Sequence, residues 1–249
     1  MTNKGSPIEA GDGGNITRRI VDQLGRAIVS GEYAAKALPI EAELSEQFAA
    51  SRSVTREAIK MLTAKGLISS RPRRGTSVAP EEQWNFLDPD VLRWLLDRGF
   101  SLELLSEFTA FRSAIEPKAA LLAIRRGDRA SLDAIEAAID RMERQDPTDR
   151  EATLAADIEF HVAILHASGN RFMIQCRDLV ETALRFSIQL TDLEKGVQAA
   201  DIEAHRAIAN AILVGDAVRA VSATQDLLNE AAMLIERARD AGGRMPGKP

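Results

Sequence analysis

The chain has 249 residues, of which 45% are hydrophobic, 28% charged and 4% aromatic, which at about 100–200 residues per domain predicts two helix-favouring domains. A single cysteine, Cys176, excludes an intramolecular disulfide and fits a cytoplasmic setting, and without a run of about 18 apolar residues no membrane span is expected. The net charge of −5 divides unevenly: residues 1–80 carry 12 Lys/Arg against 8 Asp/Glu and the remainder 20 against 29, so a basic head on an acidic body predicts that one domain faces a polyanion.

Residues 1–14 lack an apolar stretch and are expected to form a disordered arm, not a signal peptide. Ile16, Ile20, Leu24 and Ile28 recur every fourth residue and line one face of a first helix, which Gly31 can end. A second helix is expected over Glu41 to Phe48, with Leu44 and Phe48 inward, and Ala49 to Ser51 connect it to a third. Ser53 is the expected N-cap of that third helix. Val54, Ala58, Ile59 and Leu62 are its inward face and Gly66 its stop. Leu67 to Ser70 and Thr76 to Ala79 read as two strands around a turn at Pro72 to Gly75.

Three helices and a two-stranded ribbon make a winged helix-turn-helix over residues 15–80. Its third helix can enter a major groove. Arg52 and Arg56 lie four apart and project from one side of that helix. Each can bond a guanine edge through two parallel hydrogen bonds, worth about 1–3 kcal/mol of discrimination. Ser51 and Ser53 suit phosphate contacts, and Arg71, Arg73 and Arg74 concentrate charge on the wing turn, within reach of a minor groove.

The run Leu38-Pro39 to Glu43-Leu44, then Ser51 to Ile59, Leu62, Gly66-Leu67-Ile68 and Arg74-Gly75-Thr76-Ser77-Val78, resembles the GntR family of bacterial repressors. The resemblance implies that Arg52 and Arg56 contact bases and that Ser51, Ser53, Arg74 and Gly75 lie at the DNA. One position departs from the pattern. Ala42 stands where an Arg usually follows the residue matching Glu41, so one DNA contact is missing.

Residues 81–100 are expected to be a linker plus the first helix of the second domain, with Asp88 capping that helix and Pro89 at its first position. Trp84 and Trp94 read as apolar plugs at an interface. From residue 88 onward the helical period persists, punctuated by Gly99, Gly127, Pro147, Gly169, Gly196 and Gly215. About seven helices are expected, over 88–98, 101–126, 128–145, 148–167, 170–193, 199–214 and 216–240. The fold class is mainly α, with an all-α bundle over 101–240 that binds an effector and dimerises. A disordered tail is expected over 241–249.

Polar residues within this apolar pattern are the informative ones. Asp157 and His161 share one helical face, and His205 lies on a later helix. Two imidazoles and a carboxylate suit a divalent metal with open positions, zinc or nickel before magnesium; buried His–Asp pairing is the other reading of the same spacing. Arg112 lies amid apolar residues, and is either an ion-pair partner of Glu116 one turn on or a fork for an effector carboxylate.

Residues 101–235 resemble the ligand-sensing FCD domain of the FadR-type branch of that family. The resemblance implies metal ligation by Asp157, His161 and His205. A fourth ligand position falls near Leu227, which cannot bind a metal. It also implies an effector pocket at Arg112, which Arg185 could assist from another helix. The stretch Gln83 to Trp94 is similar to the linker of a sugar-acid-responsive member, implying an effector such as galactonate or a related aldonate.

The expected protein is a homodimeric regulator on a palindromic operator, released by a small carboxylate. A helical metalloenzyme built on Asp157, His161 and His205 is a second reading, but no nucleophile or general base lies near them in sequence. A constitutive DNA-binding protein without effector is a third.

Overall fold

The computed structural model describes residues 12–34, 36–71, 75–98, 101–146, 148–185 and 201–240. The chain divides into two compact units, residues 1–99 and 100–249.

In the first unit, α1 (Asp12–Val29) lays Ile20, Leu24, Ile28 and Val29 into the core against α3 (Arg52–Ala64). The helix thus begins inside the segment expected to be a disordered arm; residues 1–11 and the tail 241–249 lie outside the described residues. Helix α2 (Glu41–Gln47) packs on α3 through buried Leu44, and the Ser45 and Thr55 hydroxyls meet at 3.0 Å between them. The tight turn joining the two places Ala49 at φ 48°, in the left-handed region.

The cap of α3 is Ser51, not Ser53: Ser51 has extended φ and ψ and its hydroxyl accepts from the Val54 N–H. Ser53 is already within the first helical turn, where its side chain meets the Ser51 hydroxyl at 2.8 Å. The inward face of α3 accordingly includes Thr55, while Val54 is only half-buried.

Gly66 ends α3 at φ +77°, and a Cβ there would stand 2.1 Å from the Gln83 carbonyl oxygen. Only glycine satisfies both constraints. The antiparallel strands β1 (Ile68–Arg71) and β2 (Gly75–Val78) pair Ile68 with Val78 and Arg71 with Gly75, each strand one residue from its expected start.

Helix α4 (Pro89–Arg98) belongs to this first unit and packs on α1, which corrects its expected place at the head of the second domain. Asp88 does cap it, accepting from the N–H groups of Asp90 and Val91. Lys65, at the end of α3, donates to Asp88 and Asp90 at 2.8 Å. The Trp94 indole N–H donates to Asp22 on α1 at 2.8 Å, and its ring covers Gly25. Trp84 donates to the Ala79 carbonyl at 3.0 Å, so both tryptophans are anchored inside the unit.

The second unit is all-helical among the described residues: α5 (Leu102–Arg126), α6 (Arg129–Arg144), α7 (Arg150–Ala167), α8 (Arg171–Gln175), α9 described over 177–185, α10 (Ile202–Leu213) and α11 (Ala217–Asp240). Side-chain caps set the register: Ser101, Asp128, Asp149, Asn170 and Asp201 each accept from a first-turn N–H. The single helix expected over 170–193 breaks at Cys176, and its last part, 186–193, falls outside the described residues. Helix α5 packs along α11 and against α7, and α10 packs on α6 and α11. Ile135, Ile139, Met142, Phe160, Ile164, Ile208 and Ile212 fill the core. No described helix is long and apolar enough to cross a membrane.

Candidate DNA-reading face and buried metal centre

On the first unit, Ser51, Arg52, Ser53 and Arg56 are all exposed around the first turns of α3. The Arg56 guanidinium pairs with Glu41 at 3.2 Å, and Ala42 is exposed beside it. Gly75 opens β2, while Arg74 lies outside the described residues.

Among the described residues of the second unit, five buried ionisable side chains from three helices interrupt the core: Arg112 and Glu116 on α5, Asp157 and His161 on α7, and His205 on α10. Asp157 and His161 share a face because they are one helical turn apart. The Nε2 atoms of His161 and His205 lie 3.3 Å apart. Asp157 Oδ1 lies 3.2 Å from the first and 3.6 Å from the second, yet accepts no hydrogen bond from any described residue.

A buried carboxylate oxygen without a donor is costly unless a cation satisfies it. An ion bonded at about 2.1 Å places its ligands about 3.0 Å apart at right angles and about 3.4 Å apart at the tetrahedral angle. The observed triangle of 3.2, 3.3 and 3.6 Å has those dimensions. The donor set therefore fits one divalent ion held by Asp157, His161 and His205.

The outer faces of the two imidazoles are also occupied. His161 Nδ1 is 2.9 Å from Glu116 Oε2, and His205 Nδ1 is 2.6 Å from the Asp201 carbonyl oxygen. The Phe160 ring stands edge-on to both imidazoles, with centroids 5.7 and 5.2 Å away, and shields them from water. Arg112 donates through Nε to Glu116 Oε1 at 2.5 Å and through Nη2 to Oε2 at 3.2 Å. Nη2 is also 3.2 Å from each His161 ring nitrogen.

The charges reinforce one another. Burial raises the Glu116 carboxyl, but the Arg112 and His161 charges outweigh it and bring it down to about 2. Burial likewise opposes ionisation of Asp157, and His205 and His161 hold it well below the usual carboxylate range. Burial pushes His161 down, yet the Glu116 carboxylate raises it above its ordinary value despite Arg112. Two carboxylates, one guanidinium and two imidazoles are thus buried together.

Arg112 forms the expected ion pair with Glu116. Arg185 is not gathered into this cluster: it is half-exposed and bound to the surface carboxylates Glu151 and Glu181. Asn229, near the missing fourth position, is exposed and accepts from Gln225. The i,i+4 spacing of Arg112 and Glu116 points only to their mutual ion pair. The contact of Glu116 with His161 joins α5 to α7 across 45 residues and leaves no local signal.

Residues 16–78 match the family described as bacterial regulatory proteins, gntR family, and residues 107–230 match the FCD domain. The galactonate operon transcriptional repressor of Escherichia coli (strain K12) is 38% identical over 200 residues, covering 80% of this chain and 87% of its own. The chain belongs to the GntR family. Another relative from the same strain, the uncharacterized HTH-type transcriptional regulator YieP, is 33% identical over 218 residues, covering 86% and 93%. Among solved structures, Lar, described as controlling the Listeria monocytogenes agr system, is similar with a TM-score of 0.55. That likeness covers 94% of this chain and 99% of Lar at 19% identity, so it speaks to the fold alone.

This GntR-family chain is thus a DNA-binding transcription regulator with an FCD effector domain. The family and the relatives named above are regulators, not enzymes, which removes the metalloenzyme reading of the buried cluster.

Proposed function

We propose that this protein is a cytoplasmic, homodimeric repressor, released from a palindromic operator by a small carboxylate, an aldonate such as galactonate. Arg52 and Arg56 read base edges in the major groove, Ser51 and Ser53 hold phosphates, and the wing with Arg74 and Gly75 reaches the neighbouring groove. Asp157, His161 and His205 hold a zinc or nickel ion, which supplies a Lewis-acidic anchor for the effector. Three protein ligands leave coordination positions open for a carboxylate, and Arg112 is the buried cation beside them.

The observation that carries the effector site is the orphaned Asp157 oxygen facing two converging Nε2 atoms. The aldonate rests on the likeness to a galactonate operon repressor over 80% of the chain. An effector shifts DNA affinity only by binding the DNA-competent and DNA-incompetent states unequally.

The test is fluorescence anisotropy of a palindrome from the protein's own promoter, with and without galactonate and related aldonates. Release by one aldonate supports the reading. Undiminished binding across the panel sinks the sugar-acid effector, leaving another carboxylate or a ligand-independent DNA binder. Unchanged affinity after Arg52→Ala with Arg56→Ala would sink the assignment of the reading helix.

A further inference from the structure

The metal reading names three ligands, and none comes from α5. Yet α5 sends two fully buried charged side chains to the same place, and Glu116 is 1% exposed. An ionised carboxylate can only accept hydrogen bonds. With Glu116 Oε2 at 2.9 Å, His161 Nδ1 carries the proton, and Nε2 is the ring nitrogen turned toward Asp157 and His205, with Arg112 Nη2 3.2 Å away. The second imidazole is treated alike, because the Asp201 carbonyl oxygen 2.6 Å from His205 Nδ1 is also an acceptor only. Two acceptors on different elements thus select the same tautomer in both rings.

We infer that Glu116 is a positioning residue of the metal centre: it fixes the tautomer and ring orientation of His161, and Arg112 holds it in place for that task. The inference rests on the metal reading above. Arg112 supplies both the charge that keeps Glu116 ionised and the two-point contact, 2.5 and 3.2 Å, that fixes the carboxylate plane. Outer partners of this kind typically change metal affinity by about 10–100-fold when removed. The competing account is that Glu116 only neutralises a buried Arg112.

Two double variants separate these accounts. Arg112→Met with Glu116→Leu removes both charges and the acceptor; Arg112→Met with Glu116→Gln removes both charges but keeps an amide oxygen that can accept from Nδ1–H. Zinc affinity of the full chain is measured by competition with a chromophoric chelator, with folding checked by circular dichroism. The expected result is about a 10–100-fold loss in the leucine variant and recovery of most of it in the glutamine variant. Wild-type affinity in the leucine variant, or equal loss in both, overturns the positioning role. No zinc binding by the wild type overturns the metal reading itself, and the inference with it. Should the leucine variant not fold, long-range 1H–15N spectra of the zinc-loaded wild type decide: His161 protonated on Nδ1 alone is expected, and a proton on Nε2 contradicts the inference.

Discussion

His161 and His205 approach through their Nε2 atoms at 3.3 Å, while each Nδ1 is engaged by an acceptor on the opposite side of its ring. Two imidazoles so arranged turn their Nε2 atoms toward one point, and that point is shared by the unsatisfied oxygen of Asp157. Such a set is a poor hydrogen-bond network and a good ligand set. Zinc should therefore raise the thermal midpoint of the protein, because a ligand that binds only the folded state stabilises by about 2.7 kcal/mol at a hundred times its Kd. Calorimetric melts with zinc and with chelator would show the difference. It should vanish in His161→Ala with His205→Ala.

Asp22 makes the stability of the first unit depend on pH. Burial raises its carboxyl, but hydrogen bonds from Trp94 and Arg26 and the charges of Arg26 and Arg93 outweigh that and hold it below the ordinary value. A depressed folded-state value contributes stability that is fully present above the unfolded value, about 3.9, and is lost as pH falls through the folded one. Asp22→Asn should lower the thermal midpoint at pH 7. The gap from wild type should close below about pH 4, as read by melts across the acid range.

Gly25 on α1 lies against the Trp94 ring of α4. A Cβ at this position would lie 2.4 Å from two carbons of the Trp94 ring. Gly25→Ala should destabilise the first unit by about 1–3 kcal/mol, the usual cost of overpacking a core. Denaturant unfolding followed by tryptophan fluorescence would report both the loss and the displaced indole.

Ala49 carries the opposite signature. Its φ of 48° puts an alanine in the left-handed region, which costs an L-residue about 1–2 kcal/mol relative to the right-handed helix. Ala49→Gly should raise the stability of the helix-turn-helix, by less than that cost because glycine has more freedom to lose. Operator affinity should stay as in the wild type, since the substitution alters no side chain of α3.

What could be read from the sequence was local. The stop at Gly66, the hairpin around residues 72–75 and the Asp157–His161 spacing follow from backbone sterics and the 3.6-residue period, both written within a few positions. Ser51 and Ser53 are both competent caps, and only the backbone dihedrals of Ser51 decide between them. The docking of α4 on α1 depends on Trp94 meeting Asp22 and Gly25 some 70 residues earlier, a pairing that helical periodicity does not encode. The break at Cys176 and the Glu116–His161 contact were hidden for the same reason: each depends on tertiary context. Arg185 looked like a pocket cation because charge alone does not say which way a side chain faces.

On the proposed function, an ion held by Asp157, His161 and His205 anchors the effector. The most direct test is operator anisotropy with galactonate added to zinc-loaded protein and, in parallel, to chelator-treated protein. Release of DNA from the zinc-loaded sample, and little or none from the treated one, is the predicted result. Equal release from both would contradict it.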